Sequence, residues 1–64
     1  MEGLTERELS VLDLMSQGLS NKEIAQEINL SLNTVKWYAR QIYAKLGVSS
    51  RTQAVARARQ LGLL

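Results

Sequence analysis

Four hydroxyl residues divide this chain. Thr5, Ser20, Ser31 and Ser50 each precede a stretch whose apolar residues recur at helical spacing. A Ser or Thr in front of a helix accepts a hydrogen bond from a first-turn N–H that has no partner inside the helix. Thr5 with Glu8 and Ser20 with Glu23 have capping-box spacing, and Ser50 is followed by Gln53 at the same interval. Glu6 and Glu8 also suit the positive end of a helix dipole. Gly18, Asn29, Gly47 and Gly62 each follow shortly after a periodic segment, where helices stop. Proline is absent, and no segment alternates long enough to make a strand. The spacing predicts four helices, about Glu6–Gln17, Asn21–Ile28, Leu32–Leu46 and Arg51–Leu61. Such short connections favour a compact all-α four-helix bundle. Residues 1–64 are expected to be one domain, with about 4–64 as its folded core.

Each helix carries a stripe for one shared core. The first offers Val11, Leu12 and Met15 with Leu14 on the shoulder, and the second Ile24, Ala25 and Ile28 flanked by Leu19 and Leu30. The third offers Val35, Ala39, Ile42 and Leu46, with Tyr38 and Tyr43 at the edges. The fourth has a stripe of smaller residues, Ala54, Val55, Ala58 and Leu61.

With no cysteine, disulfides and thiolate metal sites are excluded, and with no histidine the commonest general base and metal ligand is missing. No convergent pair of carboxylates at catalytic spacing replaces them, so an enzyme is not expected, nor is a cofactor. No apolar run approaches the ~18 residues of a membrane span. A soluble, cytoplasmic domain without a membrane partner is expected.

The net charge of +2 conceals a division along the chain. Met1 to Glu27 holds six acids (Glu2, Glu6, Glu8, Asp13, Glu23 and Glu27) against Arg7 and Lys22, a net of −4. Ile28 to Leu64 holds Lys36, Arg40, Lys45, Arg51, Arg57 and Arg59 with no acid, a net of +6. Such polarity suits a polyanionic partner for the second half; basic residues scattered over a solvated face are the plainer reading.

Between Asn21 and Arg40 the pattern is helix, tight turn, helix. Ala25 is small enough for two crossing helices to approach closely, and Asn29 stands where a left-handed backbone is needed. Ile24, Ile28, Leu30 and Val35 set the angle between them, as in a helix-turn-helix whose second helix enters the DNA major groove. Paired amphipathic helices also occur in modules that bind protein rather than DNA. The outward face of the third helix favours DNA. Asn33, Lys36, Trp37 and Arg40 recur at i, i+3, i+4 and i+7, opposite the core stripe, and the helix carries no acid. Lysine and arginine donors match guanine O6 and N7. Asn21 and Lys22 are placed to clamp phosphate, and Lys45 and Arg51 bracket the far end of the third helix within reach of backbone phosphates.

From Leu4 to Leu64 the chain resembles the LuxR/GerE family of bacterial DNA-binding domains. The resemblance rests on "LTERELSVLDLMSQGLSNKEIAQEI", "LSLNTVKWYARQIYAKLGV" and "SRTQAVARARQLGLL", which together carry T-x-R-E, G-x-S-N-K-E-I-A, T-V-K and K-L-x-V-x-x-R-x-x-A. It is nearest to the carboxy-terminal domain of the large ATP-dependent activators, where a tryptophan after T-V-K is familiar. The resemblance implies a four-helix domain of a transcription regulator, normally placed behind a sensor, receiver or ATPase module. It implies base-edge contacts for Lys36, Trp37 and Arg40, and phosphate contacts for Asn21, Lys22, Asn33, Thr34, Lys45 and Arg51. The partners implied are double-stranded promoter DNA, a second copy through the fourth helix, and RNA polymerase. The dimer seam would lie at Ala54, Val55, Ala58 and Arg59.

Tyr38 stands where the family commonly has histidine. Its hydroxyl can donate to phosphate, and its ring can equally pack at the core edge. Trp37 suits a thymine-methyl or sugar contact, or a surface between two domains of a dimer. Arg57 and Arg59 either flank the dimer seam or are solvated surface charge. Tyr43 reads as core-edge packing rather than a stacking platform. Glu8 reads as the capping-box carboxylate, with a cation of the third helix as its partner.

Overall fold

A computed structural model describes residues 3–64, so Glu2, counted among the acids above, lies outside the described residues. Four helices follow: α1 (Glu6–Ser16), α2 (Asn21–Glu27), α3 (Leu32–Leu46) and α4 (Arg51–Gln60). α1, α2 and α4 each end one residue earlier than the apolar spacing predicts. In each case the residue expected to close the helix, Gln17, Ile28 or Leu61, is the C-cap, whose N–H still bonds back into the last turn.

The caps explain why the helices begin where they do. Thr5 Oγ1 accepts from the Glu8 N–H at 3.2 Å while Glu8 Oε1 accepts from the Thr5 N–H at 2.8 Å. Ser20 and Glu23 repeat the exchange at 3.1 and 2.8 Å. Ser31 accepts from the Thr34 N–H at 3.1 Å, and Ser50 from the Gln53 N–H at 3.2 Å. At the fourth helix the box does not close. Gln53 Oε1 accepts instead from the backbone and hydroxyl of Ser49, at 2.9 and 3.0 Å. Ser50 is the more extended cap, with φ −147° where Thr5, Ser20 and Ser31 have −74°, −70° and −72°, which brings Ser49 rather than its own N–H to Gln53.

Two turns depend on left-handed backbone. Asn29, at φ 56°, lets the Leu30 N–H return to the Ala25 carbonyl at 2.9 Å and reverses the chain between α2 and α3. Gly47, at φ 69°, does the same for the Val48 N–H and the Tyr43 carbonyl at 3.0 Å. Asparagine is the non-glycine residue best suited to that conformation, because its short polar side chain can bond locally.

α3 packs against all three other helices, and α1 also meets α2 and α4. The stripes meet as their spacing requires: Val11, Leu12, Met15, Ile24, Ala25, Val35, Ala39, Ile42, Leu46, Ala54 and Ala58 form one buried cluster. Ile28, Leu14, Leu19, Leu30, Tyr38, Tyr43 and Val55 pack half-buried around it. Two expectations for α4 change. Leu61 lies past its last turn and is 40% exposed, so it does not join the stripe. Ala54 and Ala58, expected at a dimer seam, are both fully buried inside the domain, where their small side chains let α4 lie close. Of that seam, Val55 is half-buried and Arg59 is exposed.

Candidate nucleic-acid interface

α3 separates into two faces. Val35, Ala39, Ile42 and Leu46 hold it to the domain, while Asn33, Lys36, Trp37 and Arg40 are exposed. Trp37 is 49% exposed, so a large aromatic on this helix contributes little to the core. Neither Lys36 nor Arg40 forms an ion pair among the described residues. Both cations are therefore available to an anionic partner without first giving up an internal one. At the helix start the Ser31 and Thr34 hydroxyls bond each other at 2.8 Å, a polar pair beside exposed Asn33. No acid lies on α3.

Lys45 is used differently from the phosphate contact expected of it. Its Nζ donates to Glu8 Oε1 at 2.8 Å, with the lysine side chain 20% exposed and the glutamate 3%. One carboxylate thus closes the α1 capping box and anchors the last turn of α3, where a cation also suits the helix dipole. This is the third-helix cation expected beside Glu8. Burial pushes the Glu8 carboxyl upward, but the Lys45 hydrogen bond, the Thr5 backbone and hydroxyl, and the Lys45 charge together outweigh it and hold it below the ordinary value. Glu23, fully in water, is also held low, first by the Ser20 backbone N–H.

Arg51 is likewise committed internally. Its Nη1 donates to the Leu19 carbonyl and its Nη2 to Asn21 Oδ1 at 2.7 Å, tying the start of α4 to the α1–α2 turn. Both contacts span thirty or more residues of chain, so no local pattern announces them. The guanidinium has only donors, which fixes Asn21 with its oxygen toward Arg51 and leaves its amide NH2 without an acceptor among the described residues. Arg51 thus holds the framework together, and Asn21 remains as a donor. We expect Arg51→Ala to lower stability by about 1–3 kcal/mol, measured by urea unfolding, because two partly buried acceptors lose their partner.

Tyr38 is half-buried, packs on the core, and meets the Trp37 ring edge-on, with centroids 5.1 Å apart and planes at 75°. Its hydroxyl makes no hydrogen bond among the described residues. Tyr43 packs at the core edge as its position implies. Lys22, Arg57 and Arg59 are exposed. Beside α4, a shallow apolar hollow is lined by Met15, Arg51, Thr52, Val55, Ala56 and Arg59. Among the described residues no group of three or more His, Cys, Asp or Glu side chains is placed to hold a metal ion, and no helix is long and apolar enough to cross a membrane.

The known proteins that this chain is similar to agree with one another. Residues 2–58 match the model of the GerE family, described as bacterial regulatory proteins of the luxR family. The response regulator Rre1 of Synechocystis sp. is 51% identical over 59 residues, covering 92% of this chain and 26% of that protein. The HTH-type transcriptional regulator AlkS of Alcanivorax borkumensis is 41% identical over 61 residues, 95% of this chain and only 7% of a far longer protein. The crystal structure of ChrA, the response regulator of a heme-sensing two-component system, superimposes with a TM-score of 0.96 at 42% identity, covering 100% of this chain and 32% of that one. The chain therefore spans about a quarter or less of these two curated relatives, one a response regulator and the other a much larger regulator. With four helices in the same arrangement and a family match over most of its length, the chain belongs to the luxR family of bacterial regulatory proteins.

Proposed function

We propose that this domain binds double-stranded promoter DNA by laying α3 in the major groove. The observation that carries the reading is the acid-free outward stripe of Asn33, Lys36, Trp37 and Arg40 on a helix whose opposite face is buried. Lys36 and Arg40 read base edges through their donors, and Trp37 supplies an apolar contact beside them. Lys22, Asn33, Thr34, the free amide of Asn21 and the Tyr38 hydroxyl contact phosphates and fix the register. With Lys45 held by Glu8 and Arg51 by Leu19 and Asn21, those two act mainly by shaping the domain. Residues 4–64 act as one unit of a longer cytoplasmic transcription regulator.

One domain presents few cations, so a monomer binds weakly and with strong salt dependence. Two copies on an inverted repeat set their α3 helices about one helical turn apart. The second copy docks on α4 through Val55 and Arg59. The bound dimer acts at a promoter alongside RNA polymerase.

Arg40→Ala tests the reading. It should remove about 1–3 kcal/mol of discrimination between a selected site and random duplex, measured by titration of both at fixed salt. Equal losses on the two DNAs would count against base reading by Arg40. Lys22→Ala should instead weaken binding to every sequence alike and reduce the slope of log affinity against log salt by about 1.

A further inference from the structure

We propose that Tyr38 is a positioning residue for Trp37, fixing the orientation in which the indole meets the DNA. The proposal rests on the reading of α3 as the groove-facing helix. Trp37 is 49% exposed, with solvent on its outer side. An exposed indole on a helix samples several rotamers, and docking it in a groove must select one, at a cost in conformational freedom. Residues one apart on a helix normally point in different directions. Here the Tyr38 ring bridges that divergence. It packs on the core cluster and turns toward Trp37, so that the two rings meet at 5.1 Å and 75°. That is the edge-to-face arrangement aromatic quadrupoles favour. The indole is thus braced against a ring that is itself held by the domain. It offers a formed surface to a base step instead of ordering on contact. The two functions of Tyr38 divide between its parts: the ring sets discrimination through Trp37, and the hydroxyl contributes only to overall affinity.

Trp37 is the only tryptophan in the chain, so its emission reports its motion with no competing signal. The test compares the time-resolved fluorescence anisotropy of wild type, Tyr38→Phe and Tyr38→Leu, the last keeping an apolar side chain against the core. Wild type and Tyr38→Phe should show the same restricted indole, and Tyr38→Leu a larger fast component at a temperature where circular dichroism shows all three folded. On DNA, Tyr38→Leu should lose roughly three- to tenfold in discrimination between a selected duplex and the same duplex altered at one base step. Tyr38→Phe should retain that ratio. The loss should vanish in a Trp37→Ala background, because the ring acts through the indole. An indole equally restricted in Tyr38→Leu, or losses that simply add in the double variant, would overturn the proposal. If the wild-type domain showed no duplex affinity at all, the DNA reading would fall instead, and the anisotropy of the free chain would still decide whether Tyr38 orders Trp37.

Discussion

Ile42→Ala should cost the domain a large share of its stability. Ile42 is fully buried on the core face of α3, the helix that packs against all the others. Truncating it to Ala removes the transfer free energy of three carbons and leaves a cavity in the buried cluster, for about 2–5 kcal/mol. A chain of 64 residues has a total stability of about 3–10 kcal/mol, so the loss is a large share of the whole. Denaturant unfolding should show a lower midpoint with an unchanged slope. Leu12, also fully buried, should respond similarly, whereas Leu61→Ala should change little, because Leu61 lies past the last turn of α4 and is exposed.

The second large effect belongs to a charge. Glu8→Ala removes the carboxylate that closes the α1 cap and leaves Lys45 without its counter-ion. Thr5 still caps the helix through its hydroxyl, but its own N–H loses the carboxylate, which costs about 1 kcal/mol. Lys45 can turn partly toward water, so its stranding costs less than the ~3–5 kcal/mol of a fully buried broken pair. Together they amount to about 2–3 kcal/mol. The same carboxylate makes stability depend on acid. Its folded pKa lies below the ordinary 4.5, so its contribution is complete above that value and is lost as pH falls through the folded pKa. Glu8→Gln keeps an oxygen for the Thr5 N–H but has no proton to take up. Its stability should start lower at neutral pH and fall less between pH 5 and 3, measured by thermal unfolding across that range.

What was legible in the sequence is what is encoded locally. Thr5, Ser20, Ser31 and Ser50 cap their helices because a cap spans only three residues, and Asn29 adopts the left-handed turn because few other residues do so at low cost. The core stripes follow from helical periodicity. What was hidden depends on tertiary approach. Lys45 and Arg51 look like free cations on a basic half of the chain, but folding brings each against an acceptor at least thirty residues away. Ala54 and Ala58 fit a core stripe by spacing and a dimer seam by family resemblance, and the closeness of α4 to the core buries both within the domain. Gln53 follows Ser50 at box spacing, but the extended backbone of Ser50 gives its side chain to Ser49. The outward stripe of α3 was legible because one helix has to face both the core and solvent.

Selection of bound sequences from a pool of random duplexes, at moderate salt, tests whether α3 reads bases in the groove. The expected result is enrichment of a short site in which guanines carry much of the information, arranged as an inverted repeat with half-sites about one helical turn apart. Arg40→Ala should enrich a site degraded at defined positions. Recovery of no sequence above the starting pool, from a domain shown to be folded, would contradict groove reading by α3.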